Sequence, residues 1–222
     1  MKKLIRGLLV AASAFALVVG CGKKEAKNEE KKGGDEVSAY DFKDENFGYK
    51  LLEDGTYEVA KYLKHTNDEH DQTCTECMVT TGDTAVIPAT ANGKAVTSIG
   101  EEAFFWNNVA NVTIPNSVTH IGRQAFANAR HIHNLVIPSS VTKIEYGAFY
   151  KLGCHTINYV IPDNRSYVVI QQNDPAAITQ TNMLGTAALA AQGAVYLRVP
   201  AASVAAYKAA WTSYVDFIEA AA

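Results

Sequence analysis

Charge of one sign, cysteine, proline and long apolar runs are all scarce in this chain, and each scarcity narrows what it can be. Its 20 Lys and Arg stand against 23 Asp and Glu, a formal net charge of -3. A generic nucleic-acid binder carries a basic excess that neutralises phosphates, so the balance argues against that class. Cysteine occurs at 21, 74, 77 and 154 only, and a second Cys-x-x-Cys half-site is missing. No His-Glu-x-x-His, Gly-x-Ser-x-Gly or phosphate-binding glycine loop occurs. Acidic pairs such as Glu101-Glu102 fall at turns, without the paired placement a glycosidase needs. The chain therefore reads as no enzyme, with no catalytic residues. What it does have is enough apolar side chain, 48% of 222 residues, to build a sizeable core.

The first forty residues look unlike a folded domain. Lys2, Lys3 and Arg6 precede an uncharged apolar run from Leu8 to Val19. That run has the length of a signal-peptide core and is short for a membrane span. It ends in Leu17-Val18-Val19-Gly20-Cys21, which resembles a lipobox. Gly20 would sit beside the scissile bond, and the Cys21 thiol would take a diacylglycerol before cleavage. The segment from Gly22 to Glu36 is almost entirely charged or glycine, with mixed signs. It cannot bury enough surface to offset its ordering entropy, so a solvated tether is expected. Acyl chains on Cys21 would supply the membrane affinity, at about 0.8 kcal/mol per buried methylene.

Three columns organise the rest. Ile-Pro recurs at 87-88, 114-115, 137-138 and 161-162, with Val199-Pro200 as a variant. Ala-Phe recurs at 103-104, 125-126 and 148-149, and Val-Thr-x-Ile at 96–99, 118–121 and 141–144. Val112 and Ile114, Leu135 and Ile137, and Tyr159 and Ile161 alternate with polar or smaller neighbours, which marks short strands with one buried face. Proline ends each strand because it lacks a backbone donor. Val-Thr-x-Ile is a second short extended piece, and the Phe of Ala-Phe plugs the interior from the opposite side. A single unit cannot cover its own apolar edges, so the units must stack.

Ile132 to Phe149 is the best copy of this pattern, which resembles the BspA-like leucine-rich repeat of bacterial surface proteins. The resemblance spans roughly Gly55 to Ile218. It implies an α/β to mainly β repeat solenoid, a short right-handed coil with a β entry cap and a C-terminal helical cap. The expected layout is a signal peptide over 1–20, lipidated Cys21 with its tether over 21–38, and an entry region over 39–95 with an insertion at 63–82. Repeats follow over 96–165, then a degraded repeat and cap over 166–222. Glu145 replaces Gly100 and Gly122 of the other copies, so its turn is expected to differ and to use Gly147. Asn164 to Ala194 breaks register. Val204, Tyr207 and Trp211 would share one helical face after Pro200.

Two sets of residues are candidate sites. The insertion gathers His65, His70, Cys74 and Cys77. These residue types could hold a tetrahedral zinc, whereas export to an oxidising compartment favours a Cys74–Cys77 disulfide, and a redox-active pair is a third option. The outward strand positions Asn111, Asn134 and Asn158 form one row, and Thr113, Val136 and Val160 another. They would be either a ligand-facing strip or, for the asparagines, a ladder that satisfies turn backbone. Cys154 is expected to be a buried thiol, and His131, His133 and His155 solvated loop residues. The resemblance implies display at the outer membrane or cell surface and binding of a protein or glycan partner, by a monomer with no cofactor beyond the zinc alternative. A metal- or redox-handling lipoprotein and a purely structural envelope protein are the competing readings. Mass spectrometry of the mature protein, native and alkylated, is expected to find an N-terminus at Cys21 carrying acyl mass. An intact chain beginning at Met1 would overturn that, and the same spectra read the state of Cys74 and Cys77 and any bound zinc.

Overall fold

The computed structural model describes residues 39–64, 84–129, 131–153, 166–185 and 195–222, all within the unit Ser38–Ala222. The chain enters through strands β1 (Phe42–Lys43), β2 (Phe47–Leu51) and β3 (Tyr57–Tyr62), which pair antiparallel as a meander. Next come β4 (Thr84–Val86), β5 (Thr90–Ala91) and β6 (Lys94–Ile99). Asn92 and Gly93 both have positive φ and close the β5–β6 hairpin, the two-residue turn that Asn-Gly favours. The repeats then supply β7 (Asn111–Thr113), β8 (His120–Ile121), β9 (Asn134–Ile137) and β10 (Lys143–Ile144). After them come β11 (Ser166–Ile170), β12 (Thr179–Gln180), β13 (Val195–Val199), helix α1 (Val204–Ala210) and β14 (Ile218–Ala220).

Each repeat sends one strand to each of two parallel sheets. The Val-Thr-x-Ile strands build the first, in the order β1-β2-β3-β6-β8-β10-β12, with β5 beside β6. The Ile-Pro strands build the second: β9, β11, β13 and β14 run side by side, and β4 pairs with β7, which packs next to β9. Alternation decides what is buried. Val112, Leu135, Val168, Leu197 and Ile218 point inward in register, as do Ile114, Ile137, Ile170 and Val199. The Val-Thr-x-Ile threonines knit the first sheet along its length. Thr119 and Thr142 each donate a hydroxyl to the threonine carbonyl one coil earlier, at 3.3 and 3.4 Å.

The third side of each coil carries the Ala-Phe column, and its stacking is aromatic. Phe47, Tyr62, Phe104, Phe126 and Phe149 follow one another with centroid separations of 5.3, 5.4, 4.9 and 6.1 Å. All are buried, and each ring removed from water contributes about 1.5–3 kcal/mol before its contacts with the next ring are counted. The backbone here makes a ladder of its own. Glu102, Phe104 and Trp106 donate N–H groups to Arg123, Ala125 and Ala127 of the next coil, and Gln124, Phe126 and Asn128 donate to Tyr146, Ala148 and Tyr150. Residues between them close local turns. Left-handed conformations recur at two places per coil in these turns: Glu102, Gln124 and Gly147, and then Trp106, Asn128 and Lys151, all with φ between 52° and 65°.

This column corrects the expectation for Glu145. The turn there does not differ from the others, because Gly147 occupies the place where Glu102 and Gln124 are already left-handed. Gly100 and Gly122 serve close approach instead. A Cβ on Gly122 would come within 2.9 Å of the Glu101 nitrogen, and one on Gly100 within 2.7 Å of the Glu58 carboxyl carbon. Of the stretch expected to be degraded, residues 166–185 also fold as a coil. Strand β11 supplies its second-sheet edge, Asp174 caps a 3-10 turn over Pro175–Ala177, β12 joins the first sheet, and Met183 accepts from Phe149 through its backbone. Buried Met183 and Leu184 stand where Ala-Phe stood before. Tyr207 on α1 is buried and donates its hydroxyl to the Gln172 carbonyl at 2.7 Å, and burial, with the nearby Asp174 charge, pushes its pKa up to about 12.

The left-handed column predicts opposite signs for two substitutions. Gln124→Gly is expected to raise the unfolding free energy by roughly 1 kcal/mol and Gly147→Gln to lower it by a similar amount, since a side chain in that region is strained. Urea denaturation of each variant reads both.

Candidate functional site

Side chains that cannot turn inward make up the outer face of the second sheet. Burial alternates along β7 and β9, leaving Asn111, Thr113, Asn134 and Val136 outward and exposed. Register carries both rows onward. Tyr167 lies level with Asn134 and Tyr196 with Tyr167, while Val169 lies level with Val136, Arg198 with Val169 and Glu219 with Arg198. At the other end, Thr84 and Val86 lie level with Asn111 and Thr113.

The face is therefore graded along the stack. Small polar and β-branched residues cover the early strands, and Val86 and Val136 are exposed at 60% and 38%. Aromatic and charged residues cover the late ones. The Tyr167 and Tyr196 rings lie 6.3 Å apart, and Phe217 meets Tyr196 edge-on at 6.1 Å. The Arg198 guanidinium carbon sits 3.3 Å from the Tyr167 ring centroid, and its Nε donates to Glu219 Oε1 at 2.9 Å. A cation stacked on an aromatic face gains about 0.5–2 kcal/mol, depending on how far it is desolvated.

The strand beside β9 is Ser166–Ile170, so the asparagine row runs on through tyrosines. Asn158 and Val160 lie outside the described residues, as do Cys21, Cys154, His155 and the whole His65, His70, Cys74 and Cys77 set. Among the described residues no three His, Cys, Asp or Glu are placed to hold a metal, and no helix is long and apolar enough to cross a membrane. His131, expected in solvent, is buried at 9% exposure, beside the core residue Ile132. The Tyr167, Tyr196 and Arg198 group escaped sequence reasoning because β11 and β13 lack the Ile-Pro spacing of the earlier copies. Their alternation, Ser-Tyr-Val-Val-Ile and Val-Tyr-Leu-Arg-Val, was the available signal.

A second polar row crosses the first sheet. Its members are the x of Val-Thr-x-Ile: Ser98 lies level with His120, and His120 with Lys143. Ser98 Oγ and His120 Nδ1 are 3.1 Å apart, His120 Nε2 and Glu145 Oε1 are 3.0 Å apart, and Lys143 Nζ donates to the same oxygen at 2.7 Å. Serine, histidine and glutamate in line have the parts of a nucleophile–base–orienter set. Ser98 is only 3% exposed, however, and a hydroxyl so buried cannot meet a substrate. The row is a structural cross-strand network. Glu58 flanks it, lying over Gly100, and burial raises its pKa against the pull of Lys50 and His120. Glu145 shifts the other way, lowered first by its Lys143 hydrogen bond.

Residues 93–173 match the family model described as the BspA type Leucine rich repeat region, in six copies. This stretch is a BspA-type leucine-rich-repeat region. No curated protein matches the chain. Several solved structures are similar to it. A leucine-rich repeat protein from Bacteroides capillosus ATCC 29799 shares 24% identity over 71% of this chain and 97% of that one, with a TM-score of 0.44. The T. pallidum Leucine Rich Repeat protein shares 20% over 70% of each chain, with a TM-score of 0.43. A leucine rich cell surface protein from Faecalibacterium prausnitzii A2-165 shares 22% over 73% of this chain and 43% of that one, with a TM-score of 0.42. The repeat strands between residues 93 and 173 are the part of the chain that matches the BspA-type pattern.

The opposed shifts of Glu58 and Glu145 predict opposite pH dependences. A raised carboxyl pKa means the folded state holds its proton longer, so ionising Glu58 erodes stability as pH climbs from the ordinary glutamate value, about 4.3, through the raised one. Glu58→Gln should therefore gain Tm relative to the parent across that climb. Glu145 stabilises above the ordinary value and loses that contribution as pH falls through its lowered pKa. Glu145→Gln should be at its greatest disadvantage near neutrality and approach the parent in acid. Thermal unfolding of the three proteins between about pH 3 and pH 7 decides both signs.

Proposed function

We propose that the chain is an envelope-anchored, non-catalytic lipoprotein that displays its leucine-rich repeats as a binding module for a protein at the cell surface. The observation that carries this reading is the outer face of the second sheet, where Val86 and Val136 stand exposed, Val136 in one row with Arg198, and Tyr167 and Tyr196 in the row beside it. Tyrosine and arginine are among the residues enriched where proteins bind one another, and exposed apolar side chains on one face favour contact over solvation. Lipid on Cys21 would hold the module at the membrane, and the charged segment after it would set the module's reach. In this reading the coils wind right-handed, and α1 with Tyr207 and Trp211 is the terminal cap that shields the last coil. Parallel strands from successive repeats form rows well suited to an extended partner.

The test is a binding comparison on the lipid-free mature chain. Immobilised wild-type protein is expected to retain a protein partner saturably from matrix or envelope extracts. Val136→Asp should lower that retention by at least about tenfold while leaving Tm within a few degrees, because an exposed position contributes little to folding. Retention that is unchanged by Val136→Asp, or is absent from every extract, would sink this reading.

A further inference from the structure

The charged end of the second sheet has a specific geometry that the general reading leaves unexplained. Arg198 is held on two sides: Tyr167 lies under its guanidinium at 3.3 Å, and Glu219 accepts from Nε at 2.9 Å. Among the described residues its two terminal amino groups make no protein hydrogen bond. The side chain is nonetheless partly buried, at 31% exposure. A guanidinium fixed through its face and its Nε edge keeps its two Nη groups as a planar fork, the geometry that takes a carboxylate bidentately. Tyr196, level with Tyr167 and 6.3 Å from it, extends the apolar floor beside that fork. Stacking normally costs side-chain freedom, and here that cost is met before any ligand arrives.

We propose that Arg198, Tyr167 and Tyr196 form a carboxylate-binding subsite that takes a Glu or Asp side chain of an extended protein partner, whose neighbouring apolar residue rests on Val136. This inference rests on the reading of the second sheet as the binding face. Charge complementarity selects the anion: a cationic group would meet Arg198 head-on. The apolar row selects polypeptide over acidic glycan, because Val136 and Val169 offer nothing to a sugar's hydroxyls and a good surface to an aliphatic side chain. Spacing refines the partner. Val136 and Arg198 lie in one row on strands β9 and β13, with β11 between them. Two strand spacings of about 4.8 Å separate them by roughly 10 Å. Three residues of polyproline II helix, at about 3.1 Å each, bring a side chain back to the same face over nearly that distance. The partner motif is thus a carboxylate three residues from an apolar side chain in an extended, proline-compatible segment.

The experiment presents the full chain, labelled, to immobilised peptides of the form Gly-Pro-Glu-Pro-Pro-Leu-Pro-Gly. Matched peptides carry Gln or Lys in place of Glu, and immobilised hyaluronan serves as the acidic glycan. Retention on the Glu peptide is expected to exceed that on the Gln peptide by at least about tenfold, the scale of one charge-assisted bidentate pair. Arg198→Gln should bring the Glu peptide down to the Gln level, and Arg198→Lys should recover only part, since an ammonium has no planar fork. Glu219→Gln removes the competing carboxylate while leaving an acceptor for Nε, and it should raise retention on the Glu peptide. A merely structural pair would not produce that gain, and it remains readable even where Arg198→Gln fails to fold. Equal retention on Glu and Gln peptides, or no response to Arg198→Lys and Glu219→Gln, overturns the subsite. If Val136→Asp still abolishes such charge-blind retention, the sheet-face reading survives alone. Preference for hyaluronan, or no retention on any peptide, also overturns the proposal.

Discussion

Each coil of this protein is too thin to have an inside, and the aromatic column is what gives it one. Phe104, Phe126 and Phe149 enter from the same side of successive coils and stack on one another, with Phe47 and Tyr62 starting the series. A ring at the end of such a stack has one face uncovered, so every coil depends on its neighbour for burial. The alanine before each Phe is fully buried, which keeps neighbouring backbones within hydrogen-bonding distance. The same stretch holds left-handed residues at Glu102 and Gln124, a strain of roughly 1 kcal/mol each that the backbone bonds from coil to coil offset.

Stacking in strict register has a consequence for the two sheets. Inward positions become buried columns, and outward positions become rows that cross the strands. On the first sheet the outward row is closed upon itself, with Ser98, His120, Lys143 and Glu145 bonded across coils and Glu58 lying over Gly100. On the second sheet the outward rows hold asparagine, threonine and valine early, then tyrosine and arginine late. One face spends its side chains on holding coils together, whereas the other leaves apolar and aromatic surface facing outward. This asymmetry, more than the fold itself, directs the functional reading to the second sheet, since a fold alone does not select a ligand.

Much of this was legible in the residues. Proline after isoleucine marks the end of a strand because it cannot donate, and Asn92-Gly93 marks a hairpin because both residues tolerate positive φ. Both marks coincide with the observed elements at β7, β9 and the β5–β6 turn. The coil through β11 and β12 was not legible. Its strand ends in Ile170-Gln171 without proline, and Met183-Leu184 fills the place of Ala-Phe, so both markers are missing although the volumes suit the core. The burial of His131 was hidden too, because residue type alone does not decide whether a loop side chain faces in.

By itself the sequence determined the repeat: its period, its two strands per unit, its buried columns and the need to stack. These follow from local rules, alternation in a strand and the missing donor of proline, which act within a few residues. Only the tertiary structure decided which residues stand side by side. That Tyr167 follows Asn134, that Arg198 lies on Tyr167, and that Glu58, His120 and Glu145 meet are facts of register between strands far apart in the chain. Register is settled by the packing of whole coils, and no local signal carries it once the spacing between copies changes.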